Sequence, residues 1–443
     1  MPWTVEQVVA LAQNGPAARA AREMASARTW PSAGHSADTV WGECQGSASA
    51  PYRIAIDLTG PAFRCTCPSS RLPCKHALGL FLRYVTNGVS PSAGDPPVWI
   101  SEWLLSRRKL GARPQTATRE PPADPARAAL EQQKRARRRE ERIRAGVDDL
   151  ERWLSDLARA GLAETASRPW SSFGQVSARL VDAQAPGLAR LVRDLGALPH
   201  TTPGWPERML ISLGRLWLLV EGSRRLAELE PDLQAEIRSL IGIAEGRDDV
   251  LATPSVHDAW EVAGRRVIEG ERLRVQRTWL WGRRTQRWAL LLDFAAFGQP
   301  LEAALTPGTC FKGNLCFYSG VLRLRALRAD QPQPVASVGR LPAEPIDRVL
   351  RTYAGWLGRN PWLERMPGVL QDVVPHLATG GTWWAADRNG RQLPIGGSAG
   401  WHLLALSGGQ PIDLFGEWDG YTFWPLSGVT GGRVTALGAL EAA

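Results

Sequence analysis

Apolar residues recur every three to four positions through the middle of the chain and alternate with polar ones toward its C-terminal end. Ile143, Val147, Leu150, Leu154 and Leu157 keep the helical period. Gly187 to Leu198, Leu210 to Leu229 and Leu233 to Ile243 carry the same period in good helix formers. Asp124-Pro125 has the form of an N-cap followed by proline at the first helical position, so one long helix is predicted from there toward Ala160. Its first half is polar around the whole circumference, and only its second half is amphipathic. Beyond about residue 260 the period shortens to two. Arg272 to Leu292 alternates on both sides of Gly282-Arg283-Arg284, as a hairpin does. Two more hairpins are predicted, with turns at Asp387-Arg388-Asn389-Gly390 and at Asp419-Gly420. Val349 to Leu377 reads as helical, so the C-terminal part is expected to be mixed. Residues 3 to 25 suggest one or two helices, and no repeat of fixed period is evident.

A chain of 443 residues exceeds what one hydrophobic core serves, and roughly two to four domains are expected. Hydrophobic residues at 44% and charged residues at 22% exclude wholesale disorder. The start MPWTVEQVVALAQNG has no basic n-region and no long apolar core, so no secretory signal is expected. Apolar stretches such as Leu216 to Val220 are too short to span a bilayer. A soluble, cytoplasmic chain without a membrane partner is the expectation.

The net charge of +9 changes this picture only locally, because thirteen basic and five acidic residues between Arg107 and Arg144 account for +8 of it. Gly111 to Pro125, with Pro114, Pro121, Pro122 and Pro125, cannot pack a core and reads as a linker. The expected divisions are 1–106 for N-terminal helices and a small metal-binding module, and 107–145 for a basic linker and helix start. A helical domain is expected over 146–255 and a Trp-rich mixed β domain over 256–443.

Six cysteines are too few for a disulfide-stapled scaffold, yet Cys65, Cys67 and Cys74 fall within ten residues. With His76 they form C-x-C, a six-residue gap, then C-x-H. Three thiolates and an imidazole complete the closed tetrahedral shell of a structural zinc site, and a sulfur-rich set without an open position favours Zn2+. Tyr52 to Leu58 alternates as a strand, and Thr59-Gly60-Pro61 can turn it back through Ala62 to Cys67. In extended backbone Cys65 and Cys67 share a face. Pro73 then opens a helix with Leu78, Phe81, Leu82 and Val85 on one stripe, placing Cys74 and His76 in its first turn. The competing reading, reduced core cysteines beside a chance histidine, leaves that spacing without a cause.

Cys65-x-Cys67 and Cys74-x-His76 between such a strand and helix resemble a SWIM zinc finger. Trp41-Gly42-Glu43-Cys44-Gln45-Gly46-Ser47, Pro51-Tyr52 and Pro73-Cys74-Lys75-His76-Ala77-Leu78-Gly79-Leu80 resemble its bacterial members. The motif covers about residues 41 to 86, and the whole chain also looks like long bacterial SWIM proteins. The resemblance implies one structural zinc on Cys65, Cys67, Cys74 and His76, and a module that binds DNA or protein. Bacterial SWIM proteins of this size resemble those encoded beside MoxR-type AAA+ ATPases and von Willebrand factor A-domain proteins, which implies an ATPase-linked assembly. A centre of three thiolates and Zn2+ carries a net −1, so phosphate affinity there must come from flanking cations, chiefly Arg71 and Lys75.

Other constellations carry less. Gly396-Gly397-Ser398-Ala399-Gly400 matches a nucleophile elbow, but Trp401 onward reads as strand and the only later histidine is His402, so a turn is expected. Cys310 and Cys316 read as buried free cysteines, and Cys44 as a packing residue. His35, His200, His257, His376 and His402 form no ligand pattern, and no phosphate-loop, dinucleotide or H-E-x-x-H motif occurs. Arg277, Trp279 and Trp281 share one hairpin face that could stack on single-stranded bases. A β core with Trp inside and Arg stems over it is the preferred reading.

The expectation is therefore an α+β multidomain chain, with a small ββα-type zinc finger, a helical middle domain and a β-rich mixed C-terminal domain. It is read as a non-enzymatic zinc-binding protein whose finger contacts nucleic acid, DNA more than RNA, aided by Arg135, Arg137, Arg138 and Arg139. The alternative is a protein–protein adaptor.

Overall fold

The computed structural model describes residues 3–9, 11–12, 15–26, 30–45, 50–58, 62–69, 73–86, 88–90, 96–111, 125–161, 170–201, 204–269, 273–296, 301 and 305–437. Helices α1 (Val5–Val9) and α2 (Gly15–Ser26) precede strands β1 (Ser32–His35), β2 (Thr39–Cys44), β3 (Tyr52–Asp57) and β4 (Ala62–Cys65). These strands form an antiparallel sheet in chain order. Helix α3 (Lys75–Val85) packs on one sheet face, where Leu78, Leu80 and Phe81 meet Val40, Ile54 and Ile56. Helix α2 crosses α3 at Gly79, where a Cβ would lie 2.6 Å from Met24. Helix α4 (Val98–Gly111) covers the other face, with Ile100 on Trp41 and Ala55. The finger is thus larger than the ββα unit expected. Strand β2 is buried on both faces and so never alternates, and β1, Ser-Ala-Gly-His, has no apolar pattern to read.

Helix α5 (Pro125–Ala160) runs the full predicted length. Its residues Ile143, Val147, Leu150 and Leu154 join a core with α6 (Trp170–Asp182), α7 (Pro186–Thr201), α8 (Trp205–Arg224) and α9 (Pro231–Ile241). The short α10 (Arg247–Leu251) follows. The expected divisions at 106/107 and 145/146 fall inside α4 and α5, whereas 255/256 falls between α10 and the first C-terminal strand.

The C-terminal body holds two sheets, each closed on itself. In the first, β5 (Val256–Glu269), β6 (Leu273–Gly282) and β7 (Arg287–Ala296) form a meander. Strand β8 (Cys310–Phe317) pairs with β5, and β9 (Arg325–Arg328) bridges β8 and β7. Strand β10 (Gln333–Val335) extends the edge at β8. In the second, β11 (Met366–Leu377), β12 (Trp383–Ala386) and β13 (Gln392–Ile395) form the meander. Strand β14 (Ile412–Trp418) pairs with β11, β15 (Phe423–Thr430) bridges β14 and β13, and β16 (Arg433–Ala436) extends the edge at β15. Helix α11 (Ile346–Arg359) joins the two barrels and α12 (Gly400–Ser407) lies between β13 and β14.

Two sequence expectations fail here. Only the first part of Val349 to Leu377 is helical; the rest is β11. The ladder between β11 and β14 shifts register between Leu370 and Val373, and Asp372 takes a φ of 49°. That bulge throws the pleat out of phase, so Val369, Leu370 and Val373 are buried at a spacing that mimics a helix. Trp401 onward is helix α12, not strand, because an apolar run this short has no diagnostic period.

The barrels pack face to face. Trp279, Trp281 and Trp288 of the first barrel meet Phe415 and Leu426 of the second. At the centre, the fully buried Glu417 accepts hydrogen bonds from Trp279 Nε1 (2.7 Å), Arg277 Nε (2.9 Å) and Arg365 Nη1 (3.2 Å). The Arg277–Trp279–Trp281 face therefore lies inside the molecule. The bundle is tied on by Trp362, which enters the bundle core and donates from Nε1 to the Arg215 carbonyl at 2.8 Å. Burial opposes ionisation of Glu417, but Arg277 and Arg365 outweigh it and hold its carboxyl below the ordinary range. Glu417→Ala is expected to cost about 3–5 kcal/mol by stranding two guanidinium groups. Denaturant unfolding followed by Trp fluorescence checks this, and a loss under about 1 kcal/mol would contradict it.

Candidate metal centre

Two backbone features bring the four ligands together. Cys65 ends β4 opposite Ile54, and Thr66 continues the ladder by donating its N–H to the Arg53 carbonyl at 3.1 Å. The Arg53 N–H returns a bond to Thr66 Oγ1 at 2.9 Å. The chain therefore stays extended past the strand end, which aims Cys65 and Cys67 to one side. Cys74 is the N-cap residue of α3, in extended conformation with φ −78° and ψ 170°, rather than part of its first turn. His76 follows two residues on, inside the helix. Its ring lies 5.1 Å from that of Tyr52, to which the sequence pattern assigns a strand position and no place beside the ligands. The register of Cys44 with Tyr52 puts that ring at the sheet end beside the ligands.

The ligand atoms of Cys65, Cys67, Cys74 and His76 all lie within 4.8 Å of one another. Cys74 Sγ is 3.9 Å from His76 Nδ1, which is the ring nitrogen facing the sulfurs. Two sulfurs bound tetrahedrally at about 2.3 Å from one ion sit about 3.8 Å apart, so the cluster is the size of one zinc shell. Cys74 and His76 are 5% and 6% exposed, and no other such cluster occurs among the described residues. The chain is thus positioned to bind one zinc ion through these four residues, closing β4 onto α3.

The thiols are electrostatically unequal. A hydrogen bond from Cys65 and a second from His76 bring Cys74 down to about 4, against the cost of its burial. The same bond to Cys74, then burial, pushes Cys65 far up, and burial raises Cys67. Near neutral pH Cys74 is the thiolate, and Cys65 and Cys67 hold protons that metal binding must release.

Around the centre, Lys75 is exposed at the start of α3. Arg53 is engaged by Glu43 at 3.4 Å and lies over the Trp99 ring. Arg71 falls outside the described residues. Arg135, Arg137, Arg138 and Arg139 sit on α5, not on the finger, and all four are exposed. Arg137 pairs with Glu141 at 3.3 Å, and Arg139 donates to the Gly242 carbonyl at 3.4 Å. Cys44, Cys310 and Cys316 are buried and form no disulfide. Burial lifts Cys310 to about 12, and the Cys316 thiol faces the Thr253 carbonyl at 3.6 Å. Ser398 lies in an exposed turn before α12.

Residues 64–85 match the SWIM zinc finger, and residues 138–241 match the SWIM-associated four-helix bundle domain. The two matches are those of a SWIM-type zinc finger protein, and neither reaches the C-terminal barrels. No curated protein and no solved structure matches the chain.

Zinc uptake is expected to release about two protons at pH 7, from Cys65 and Cys67. Each pH unit between 7 and 8 then tightens the apparent affinity about 100-fold. Calorimetry in buffers of different ionisation enthalpy, with a competing chelator, measures both. Release of no protons would contradict the assignment. Cys67→Ser with Cys74→Ser is expected to lower bound zinc from one per chain to none.

Proposed function

We propose that this chain is a non-enzymatic, cytoplasmic zinc-binding protein whose finger contacts nucleic acid, DNA more than RNA, with the polar half of α5 as a second contact. The observation that carries the reading is the placement of positive charge on α5. Arg135, Arg137, Arg138 and Arg139 project from a helix that enters a core only at Ile143, so their guanidinium groups meet solvent. Exposed arginine on a continuous helix neutralises phosphates without reading bases, which predicts weak sequence choice and steep salt dependence. Lys75, at the N-terminus of α3, adds a cation beside first-turn amides, where phosphate is favoured. The zinc centre, at net −1, acts as the fold's pin and not as the phosphate contact.

A second reading, a protein–protein adaptor in an assembly with a MoxR-type AAA+ ATPase and a von Willebrand factor A-domain protein, has its own support. Leu210, Ile211, Trp217 and Leu218 are exposed on α8, Leu210 by 62%. They form one stripe at helical spacing, facing away from the buried Met209, Leu216 and Leu219. A surface of this kind suits a protein partner better than a polyanion. No described helix is long and apolar enough to cross a membrane.

Binding to random-sequence duplex DNA across salt separates the readings. Wild type is expected to lose affinity linearly in log salt. Changing Arg135, Arg137, Arg138 and Arg139 together to Gln is expected to lower the slope by about 3 to 4. Equal, poor binding by both proteins at low salt would sink the nucleic-acid reading. Recovery of an ATPase that depends on intact Cys74 and His76 would favour the adaptor.

A further inference from the structure

The two C-terminal barrels repeat one chain path. Strands one, two and three of each form the meander β5–β6–β7 or β11–β12–β13. Strand four, β8 or β14, pairs with strand one. Strand five, β9 or β15, closes the ring, antiparallel to strand four and parallel to strand three. This is the order of an OB-fold, a five-stranded Greek-key barrel whose strand-two and strand-three face binds oligonucleotides and oligosaccharides. The fold says where to look, and the residues must say what binds.

The two barrels use that face differently. In the first, the outer side of the meander carries Trp279, Trp281 and Trp288, and the second barrel covers it. The second barrel makes this contact through residues such as Phe415, Leu426 and Val434 on β14, β15 and β16, so β12 and β13 take little part. Ala385 and Leu393, paired across β12 and β13, point into its core. The alternate residues face outward, and one row of them runs His376, Trp384, Pro394 across three strands. All three are half-buried, and Trp384 belongs to no apolar cluster among the described residues.

A second aromatic stands at the same end of β12 but on the inner side of the strand, since Trp383 shares the face of Ala385 and packs against the barrel core. Trp401 is 64% exposed and rests edge-on against Trp383, with ring centroids 5.1 Å apart. Gly400 permits that seat, because a Cβ there would lie 2.2 Å from the Trp383 ring. The far end of the hairpin is cationic. Asp387 is buried and accepts the Asn389 and Arg391 amides, leaving Arg388 and Arg391 exposed. Arg391 is engaged by Asp347 on α11 at 3.1 Å, which leaves Arg388 as the exposed cation of the turn. Strand β12 ends two residues beyond Trp384 and Arg388 follows in the turn, so ring and guanidinium lie within about 13 Å, a span of a few nucleotides.

We propose that the outer β12–β13 face of the second barrel binds single-stranded nucleic acid, with Trp384 stacking on a base, Arg388 meeting phosphate and Trp401 taking a further base around the end of β12. A paired duplex offers no free base faces to these rings, and a neutral glycan would leave the guanidinium edge unused. This site is separate from the finger and from α5, and it does not rest on the reading given for them.

The test uses the full chain, a labelled oligothymidylate of about ten nucleotides and fluorescence anisotropy. Trp384→Ala with Trp401→Ala is expected to weaken binding at least about tenfold, while the Phe pair stays within about threefold of wild type. Arg388→Gln is expected to weaken binding and flatten its salt dependence. The four-arginine α5 variant should keep this stacking-dependent binding while losing duplex affinity. Unchanged thermal unfolding of the Ala pair shows that the barrel persists. Wild-type affinity in the Ala pair would overturn the proposal, as would binding lost only in the α5 variant. Preference for a neutral oligosaccharide over the oligothymidylate would overturn it too.

Discussion

Burial of one carboxylate organises the C-terminal half of the molecule. Glu417 has no solvent to ionise into, so its charge is tolerable only while Arg277, Arg365 and Trp279 surround it. Those partners come from the first barrel, from the entry to the second and from the aromatic face between them. The group therefore fixes orientation as well as contact: a shifted or rotated barrel would strand either the carboxylate or a guanidinium. Trp424, lying 4.9 Å from both Arg266 and Arg365, extends the same alternation of ring and cation outward. This docking consumes the meander face of the first barrel, whereas β12 and β13 of the second contribute no residue to the shared cluster.

The N-terminal module solves a different problem. Its four strands are short, and α3 lies across them on an apolar core that includes Leu78, Leu80 and Phe81. A metal shell built from the end of β4 and the start of α3 joins the two elements where the sheet gives out. The unequal thiols suit this role. Hydrogen bonds from Cys65 and His76 favour the thiolate of Cys74 at the helix start. The centre fixes the path of the chain, and the exposed surface beside it, including Lys75, is what a partner meets.

Legibility in the sequence followed how each element is buried. The ligand set was readable because C-x-C and C-x-H spacing serves coordination alone, and α5 because its apolar residues face one core on one side. The hairpin turns at Asp387–Gly390 and Asp419–Gly420 were readable from local chemistry: Asp387 and Asp419 each accept the amide two residues on. Strand β2 was not readable, since both its faces are covered, nor was β11, whose bulge resets its period. The twin barrels escaped notice for another reason. They share pairing order, not residue spacing, and pairing between β13 and β15 or between β7 and β9 leaves no trace in a linear pattern. The Arg277–Trp279–Trp281 stripe could equally have been outside; only the second barrel's Phe415 and Glu417 decide that it is inside.

Charge then divides the molecule by function. The excess that colours the whole chain is confined to the α4–α5 region, and much of it sits on the half of α5 that lacks a core to pack against. Packing alone would not keep that half helical; continuity with the packed half does, since extending a formed helix costs far less than starting one. The long helix thus holds a row of guanidinium groups at fixed spacing from the bundle, with Arg139 already bonded to its edge through the Gly242 carbonyl. The Trp-rich C-terminal body carries a different resource, flat rings with single arginines laid over them. A helix bearing only cations meets a phosphate backbone, whereas an unpaired base calls for a ring as well, and only the C-terminal body sets rings beside its cations.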